Sequence, residues 1–332
     1  MTAILDESSH VATAPEVGRS SSRGRLVLLR FLRGKLGLAA LAVIVLMYLL
    51  AFLGPLLTPW SYDQQDYSAF LQPPFADHWF GTDKIGTDMF AQTMRGLQKS
   101  LIIGLLVAII STGLAALVGA TAGYLLGWAD HVLMWLVDLL LVLPSFLVIA
   151  IVSPAFRGKS WLLFVLLLAA FQWMITARIV RGMTLTLKER DFVKAARFMG
   201  QSPLRIIFKH IVPNMASLLI IDATINVGSA VLAETGLSYF GFGVQAPDVS
   251  LGTLIAVGSD SAATFPWLFL FPAGFLVLFV LAVNFVGDSL RDALDPTAKR
   301  PRRRARKRAS GSRTGVSRSV GHDRTASSDS IR

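Results

Sequence analysis

The 332-residue chain contains no cysteine. That excludes a disulfide framework, a thiolate metal site and a cysteine nucleophile, although it names no compartment. Histidine is scarce as well: the five, at 10, 78, 131, 210 and 322, are scattered without metal-ligand spacing. No Ser/His/Asp arrangement can be read from their neighbours. Asp63, Asp66, Asp77, Asp83 and Asp88 cluster in sequence but do not follow the D-x-[DN]-x-[DN]-G spacing of a calcium loop, so they read as solvated turns. Gly158-Lys159-Ser160 ends like a phosphate-binding loop, yet Ser153 stands where that signature needs its first glycine and no strand precedes it. A short polar hairpin is the better reading. The chain is thus expected to bind no metal or cofactor, to hydrolyse no ATP by itself and to be no enzyme.

Most of the chain also lacks any charge imbalance. The net charge is +11, but from 297 to 332 there are 12 Lys and Arg against 2 acidic residues, so nearly all of the excess sits in the tail KRPRRRARKR and after. Three readings of that tail stand: attraction to anionic inner-leaflet lipids at about 1 kcal/mol per basic residue, a topology anchor, or nucleic-acid binding. The last lacks interleaved aromatics and a folded element, so no nucleic acid is expected as a partner.

What is abundant is apolar sequence: 53% of residues are hydrophobic and the mean hydropathy is +0.57. The first long run, 36–57, covers 22 residues, about 33 Å as a helix, and so reaches across a hydrocarbon core. It exceeds a signal-peptide core and no small-residue cleavage site follows. Five more runs lie at about 100–126, 132–152, 161–177, 214–234 and 265–286. Pro144 and Pro272 fall inside two of them and predict kinks, since spanning helices tolerate proline. Residues 1–35, polar and rich in Ser and Arg, read as a disordered arm. With the N-terminus in the cytoplasm, 27 Lys and Arg fall inside and 5 outside: Lys84, Arg95, Lys99, Arg157 and Lys159. The expected fold is an all-α, polytopic membrane protein with six transmembrane helices and both termini cytoplasmic. Its parts are an arm (1–35), the first span and its outer loop (36–99), the main membrane domain (100–290) and a disordered basic tail (297–332).

Within the spans, Gly119, Gly123 and Gly127 form a double G-x-x-x-G, a spacing that lets helices pack backbone to backbone. Asp138, Asp222 and Asn226 lie within spans and Glu234 near the end of one. A carboxylate at mid-bilayer costs about 2.5–3.5 kcal/mol, so it faces a pore or a partner, serves a proton relay, or makes a helix-packing hydrogen bond.

The stretch DFVKAARFMGQSPLRIIFKHIVPN, 191–214, is the most informative. Phe192, Ala195, Ala196 and Met199 fall at i, i+3, i+4 and i+7, which predicts one face of a helix with Lys194, Arg197 and Gln201 projecting elsewhere. Gly200 suits the position after a helix end, Ser202 an N-cap and Pro203 a first helical position. A second stripe is Leu204, Ile207, Phe208 and Ile211. Such a short helix with paired alanines either approaches another protein closely or lies on the headgroups as an amphipathic helix.

Lys194-Ala195-Ala196, Gly200 four residues on and Pro213 thirteen beyond it resemble the "EAA" loop of binding-protein-dependent ABC transporter permeases. Lys194 replaces the usual Glu and His210 an Ile. Phe80-Gly81-Thr82-Asp83 with Gly86 and Asp88 is similar to the GTD-x-x-G-x-D segment of the dipeptide and oligopeptide branch, with Thr87 where Arg is usual. The segment from Glu234 to Gln245, ETGLSYFGFGVQ, and that from Gly287 to Pro296, GDSLRDALDP, resemble the segments after spans five and six. The match runs over about 30–296 and resembles a C-type permease. It implies a loop (183–213) that couples to a cytoplasmic ATPase through Asp191, Phe192, Lys194, Ala195, Ala196, Arg197, Gly200, His210 and Pro213. It also implies a homologous second permease, two ATPase subunits that bind ATP and Mg, and an extracytoplasmic binding protein docked on the Asp-rich outer loop. Asp138, Asp222, Asn226 and Glu234 are then candidates to line the path of a zwitterionic peptide. The alternative from another class, a stand-alone secondary transporter or channel, calls for inverted repeats that the sequence does not display.

Overall fold

The computed structural model of the chain describes residues 23–156 and 161–294. The readings placed on 1–22, on Gly158-Lys159-Ser160 and on the tail 297–332 lie outside the described residues. Among those described there is no strand, only the isolated antiparallel bridges Gln65–Thr87 and Thr82–Asp88. The helices are α1 (Arg23–Arg33), α2 (Lys35–Leu53), α3 (Met89–Leu125), α4 (Gly127–Val142), α5 (Ser145–Val152), α6 (Trp161–Gln172), α7 (Met174–Lys188), α8 (Asp191–Phe198), α9 (Pro203–Ile206), α10 (Ala216–Tyr239), α11 (Leu251–Ser259) and α12 (Trp267–Leu294). Four helical stretches are long and apolar enough to cross a membrane, Lys35–Leu56, Met89–Leu125, Pro203–Tyr239 and Trp267–Leu294. Two bent pairs, α4 with α5 and α6 with α7, raise the number to six if each pair is one span.

Several boundaries differ from those expected. The end of the polar arm is helical: α1 carries the apolar run Leu26 to Leu29 with Phe31 and Leu32, and Phe31 is buried beside Gly37. Helix α3 begins eleven residues before the apolar run, because Phe90, Met94, Leu97 and Leu101 supply a buried face that the intervening polar residues conceal in a hydropathy average. At 37 residues it is about 55 Å long and overshoots a bilayer. Pro144 produces a break, not a kink. Leu143, the residue before it, is pushed to φ −74°, ψ 127°, outside the helical region, and α4 and α5 diverge by 80°. Pro272, by contrast, stays inside a continuous α12. The run at 161–177 also divides: α6 and α7 meet at 47° beside the buried Trp173, whose indole N–H donates to the Ala170 carbonyl at 2.9 Å.

Helices in a bilayer gain little from apolar transfer and associate through close packing of small residues. That is how this bundle is built. A Cβ on Gly37 would meet Ser289 Cβ at 2.5 Å, tying α2 to α12, and one on Gly104 would meet Val231 at 2.7 Å, tying α3 to α10. Gly119 and Gly123 lie against α7, where a Cβ would meet the Ala177 carbonyl oxygen at 2.4 Å and the Arg181 carbonyl oxygen at 2.8 Å. The third glycine of that pattern does something else: Gly127, at φ +60°, begins α4 just after Leu126, which separates it from the end of α3. The cores follow the same contacts. Met47, Leu97, Leu101, Val231, Leu251 and Phe279 join α2, α3, α10, α11 and α12. Ala120, Val180, Val193, Ala196, Ile206, Ile207, Ile211 and Met215 form a separate core beneath the α7–α10 segment.

Candidate functional site

Between α7 and α10 the chain makes a compact helical elbow. Lys188 ends α7, Glu189 and Arg190 turn the chain, and α8 follows at once. Helix α8 stops by a full glycine cap. Gly200, at φ +75°, donates its N–H to the Arg197 carbonyl at 3.0 Å, and Gln201 donates to Ala196 at 3.2 Å. Ser202 takes the extended N-cap conformation, without a side-chain cap bond, and Pro203 opens α9. A π-helical turn, Ile207–Ile211, and a 3-10 turn, Val212–Met215, then lead into α10.

The fold divides the face that the apolar spacing picks out: of Phe192, Ala195, Ala196 and Met199, only Ala196 turns inward. Val193 and Ala196 (1% exposed) point into the core beneath, together with Ile206, Ile207, Ile211 and Met215. Phe192 and Ala195 face outward, as do Phe198 (90% exposed) and Met199 (71%). Leu204 and Phe208 face outward too, so the second stripe is divided as well, with Ile207 and Ile211 buried. Of the paired alanines, Ala195 alone is presented to the surroundings. Asp191, Lys194, Arg197 and Pro213 are exposed, and Lys194 Nζ lies 3.2 Å from Glu189 Oε2. His210 fastens the elbow internally: its Nε2 pairs with Gln201 Oε1 at 3.0 Å, while its carbonyl accepts from Asn214 at 2.6 Å. The segment thus presents a ring of exposed apolar side chains, edged by charge, on a base anchored to α3 and α7.

The polar residues of the spans fall into three separate places. Asp222 is half-buried among α3, α7 and α10; it accepts from Thr176 at 2.6 Å, Thr112 at 2.9 Å and Asn226 at 2.9 Å. With its lone pairs so occupied it ties three helices together. Glu234 is fully enclosed at the α3–α10–α11 junction, accepting from Ser238 and Ser250 at 2.6 Å each, with the Ser100 hydroxyl 3.5 Å away. Asp138 stands apart on α4, exposed and paired with Arg178 of α7. Closer to the start of α4, Asp130 holds Arg181 in a bidentate pair at 2.5 and 2.6 Å. The arginines Arg178 and Arg181 enter the sequence reading only as loop charge. Their spacing of three matches one face of a helix, and that face meets the two acids of α4.

The α2–α3 loop is more built than solvated turns suggest. Asp88 caps α3 by accepting from the Ala91 N–H at 2.6 Å, and it also accepts from His78 Nδ1 at 2.7 Å. His78 is fully buried, stacked on Trp60 at 4.6 Å and edge-on to Phe75. Its other nitrogen approaches Asp66 Oδ2 at 3.5 Å. The hydroxyl and N–H of Ser68 hold the Asp66 carboxyl below its ordinary range, and His78 adds to that. Gly81 and Gly86 both have positive φ, and a Cβ on Gly86 would lie 2.2 Å from the Asp66 carbonyl oxygen. The loop is pinned to α12 by the Trp267 indole, which donates to the Thr82 carbonyl at 3.2 Å. Lys99 is likewise structural, 2.8 Å from Asp248 and 4.4 Å above the Trp161 ring.

The chain is similar to known membrane transport proteins. Residues 115–300 match the family described as the binding-protein-dependent transport system inner membrane component, and residues 22–74 match the N-terminal TM domain of oligopeptide transport permease C. The chain is 58% identical over 287 residues to the oligopeptide transport system permease protein OppC of Mycobacterium tuberculosis (strain ATCC 25618 / H37Rv), covering 86% of this chain and 99% of the relative. It is 35% identical over 282 residues to the OppC of Bacillus subtilis (strain 168), covering 85% and 92%. A putative peptide permease protein of Brucella suis is 37% identical over 272 residues, covering 81% and 90%. A helical bundle with an outward-presented elbow and no catalytic constellation among the described residues fits those matches, and the chain belongs to the family of binding-protein-dependent transport system inner membrane components, as a multi-pass membrane protein.

Proposed function

We propose that this chain is the permease subunit of an ATP-driven importer that carries di- and oligopeptides across the inner membrane of a prokaryote. It pairs with a homologous second permease. The chain crosses the membrane six times, each bent helix pair forming one span, and the positive-inside bias supports cytoplasmic termini. The α2–α3 loop, with its clamped His78, then faces outward and offers a rigid platform to an extracytoplasmic binding protein. Two cytoplasmic ATPase subunits, which carry the ATP and Mg, dock on the elbow between α7 and α10.

One observation carries the reading. Phe198 and Met199 are among the most exposed large apolar side chains of the described residues, and they project from an elbow whose other face is locked into the bundle. A partner that covers them gains hot-spot contacts and grips a lever already fixed to α7. ATP binding shifts the ATPases between two states, and differential contact with the elbow passes that shift to the spans.

The natural absence of cysteine makes the test clean. A single Ala195→Cys, which faces outward, is expected to crosslink in native membranes to an ATPase with a phosphate-binding loop; Ala196→Cys, facing the core, is not. Capture of lipid alone by a correctly inserted Ala195→Cys protein would return α8 to the headgroup reading. Peptide uptake by the reconstituted complex checks the substrate.

A further inference from the structure

The two ion pairs between α4 and α7 differ in kind. Asp130–Arg181 is bidentate, and its carboxylate is nearly buried. Asp138–Arg178 is not: 59% of the aspartate side chain and 52% of the arginine side chain are exposed. Among the described residues, one carboxylate oxygen of Asp138 is the single polar partner of a guanidinium that carries five N–H donors. The flanking surface is apolar. Trp135, Leu139 and Val142 on α4 and Ile175 and Ile179 on α7 are all exposed around the pair.

Asp138 lies eleven residues into α4, about 16 Å from its start and four residues before its end, within the stretch that the proposed six-span topology puts in the membrane. Hydrocarbon cannot satisfy the unused donors and acceptors, which rules out a lipid-facing position. A dry interface with a second protein is a poor home for the same reason, since the pair lacks the extra hydrogen bonds that make a buried ion pair tolerable. What remains is a wet, protein-enclosed cavity.

We propose that Asp138 and Arg178 face the peptide path and exchange partners with the cargo, Arg178 taking a passing carboxylate terminus and Asp138 a passing ammonium terminus. The inference rests on the peptide reading above. An intact pair keeps the site neutral, and each swap replaces one ion pair by another of the same type. Neither terminus is therefore trapped, as conduction through a site requires. A lone arginine or aspartate at this depth would bind one end of the peptide and hold it.

The test uses the complete transporter, with partner permease, ATPases and binding protein, in proteoliposomes. Uptake of a free-acid peptide and of its C-amidated analogue is measured for each variant relative to the unaltered complex, so that the preference of the binding protein cancels. Arg178→Gln is expected to lower free-acid uptake about tenfold and amidated uptake less than about twofold. Asp138→Asn is expected to do the same to a peptide with a free amino terminus, against its N-acetylated analogue. Equal losses for both peptides of a set mean that the pair merely holds α4 to α7, and overturn the proposal. A second measurement stands apart from the variants' activity. Trp135→Cys, on the same face, is expected to react with a charged, water-soluble thiol reagent in the assembled complex and to be protected by peptide. No reaction places the face against lipid or a dry interface, which also overturns the proposal. If the unaltered complex takes up no peptide at all, the peptide reading fails and this inference falls with it.

Discussion

At the scale of single residues, the elbow separates two demands that the sequence superimposes. Gly200 is required for its backbone: φ is +75°, while a Cβ there would meet nothing within 4 Å. The cost of replacing it is conformational, about 1–2 kcal/mol for an ordinary L-residue and least for Asn, which visits that region. Gly200→Asn is therefore expected to retain peptide-stimulated ATP hydrolysis in the reconstituted complex, and Gly200→Val to lose most of it. Equal activity in both variants would show that the cap does not set the orientation of α8. How far such residues are legible is uneven. The signature of glycine, Ser202 and Pro203 locates the turn correctly, because capping is local chemistry. The inward face of α8 is not legible from apolar spacing, since both faces carry apolar side chains and only tertiary contact tells Val193 from Phe192. His78 is missed for a related reason. Its partners Asp66 and Asp88 are far apart in sequence, and no spacing rule joins them.

At the scale of helices, small residues decide the packing. Gly119 and Gly123 bring α3 against α7 within one chain, so their loss acts before any subunit assembles. Gly119→Leu and Gly123→Leu are expected to lower the thermal midpoint of the detergent-solubilised chain alone, by several degrees, for a cost of about 1–3 kcal/mol from overpacking. An unchanged midpoint with impaired assembly would move those glycines to a subunit interface. The apolar runs reveal six segments, but the break at Pro144 and the bend at Trp173 are less apparent in composition. Hydropathy counts transfer to lipid and says nothing of backbone direction. Proline supplies a clue at the first joint, through its effect on Leu143. The second depends on a buried Trp173 in its tertiary setting, which no window can see.

For the whole molecule, the proposed orientation rests on the distribution of charge. Single cysteines in this naturally cysteine-free chain can report it. Tyr67→Cys, exposed in the α2–α3 loop, is expected to react with a membrane-impermeant thiol reagent in intact cells. Arg205→Cys, exposed on the elbow, is expected to react only after the membrane is opened. The reverse pattern would invert the topology and rule out the proposed ATPase contact at the elbow.

Helix α7 joins these scales in mechanical terms. It is a continuous rod of 15 residues, about 22 Å long, running from the joint at Trp173 to the first turn of the elbow. Along that length it is held to α3 through two glycines and to α4 through the bidentate Asp130–Arg181 pair. A rod held so stiffly has almost no compliance of its own. A load applied at α8 would therefore be carried along α7 to the 47° bend it makes with α6, where the buried Trp173 sits.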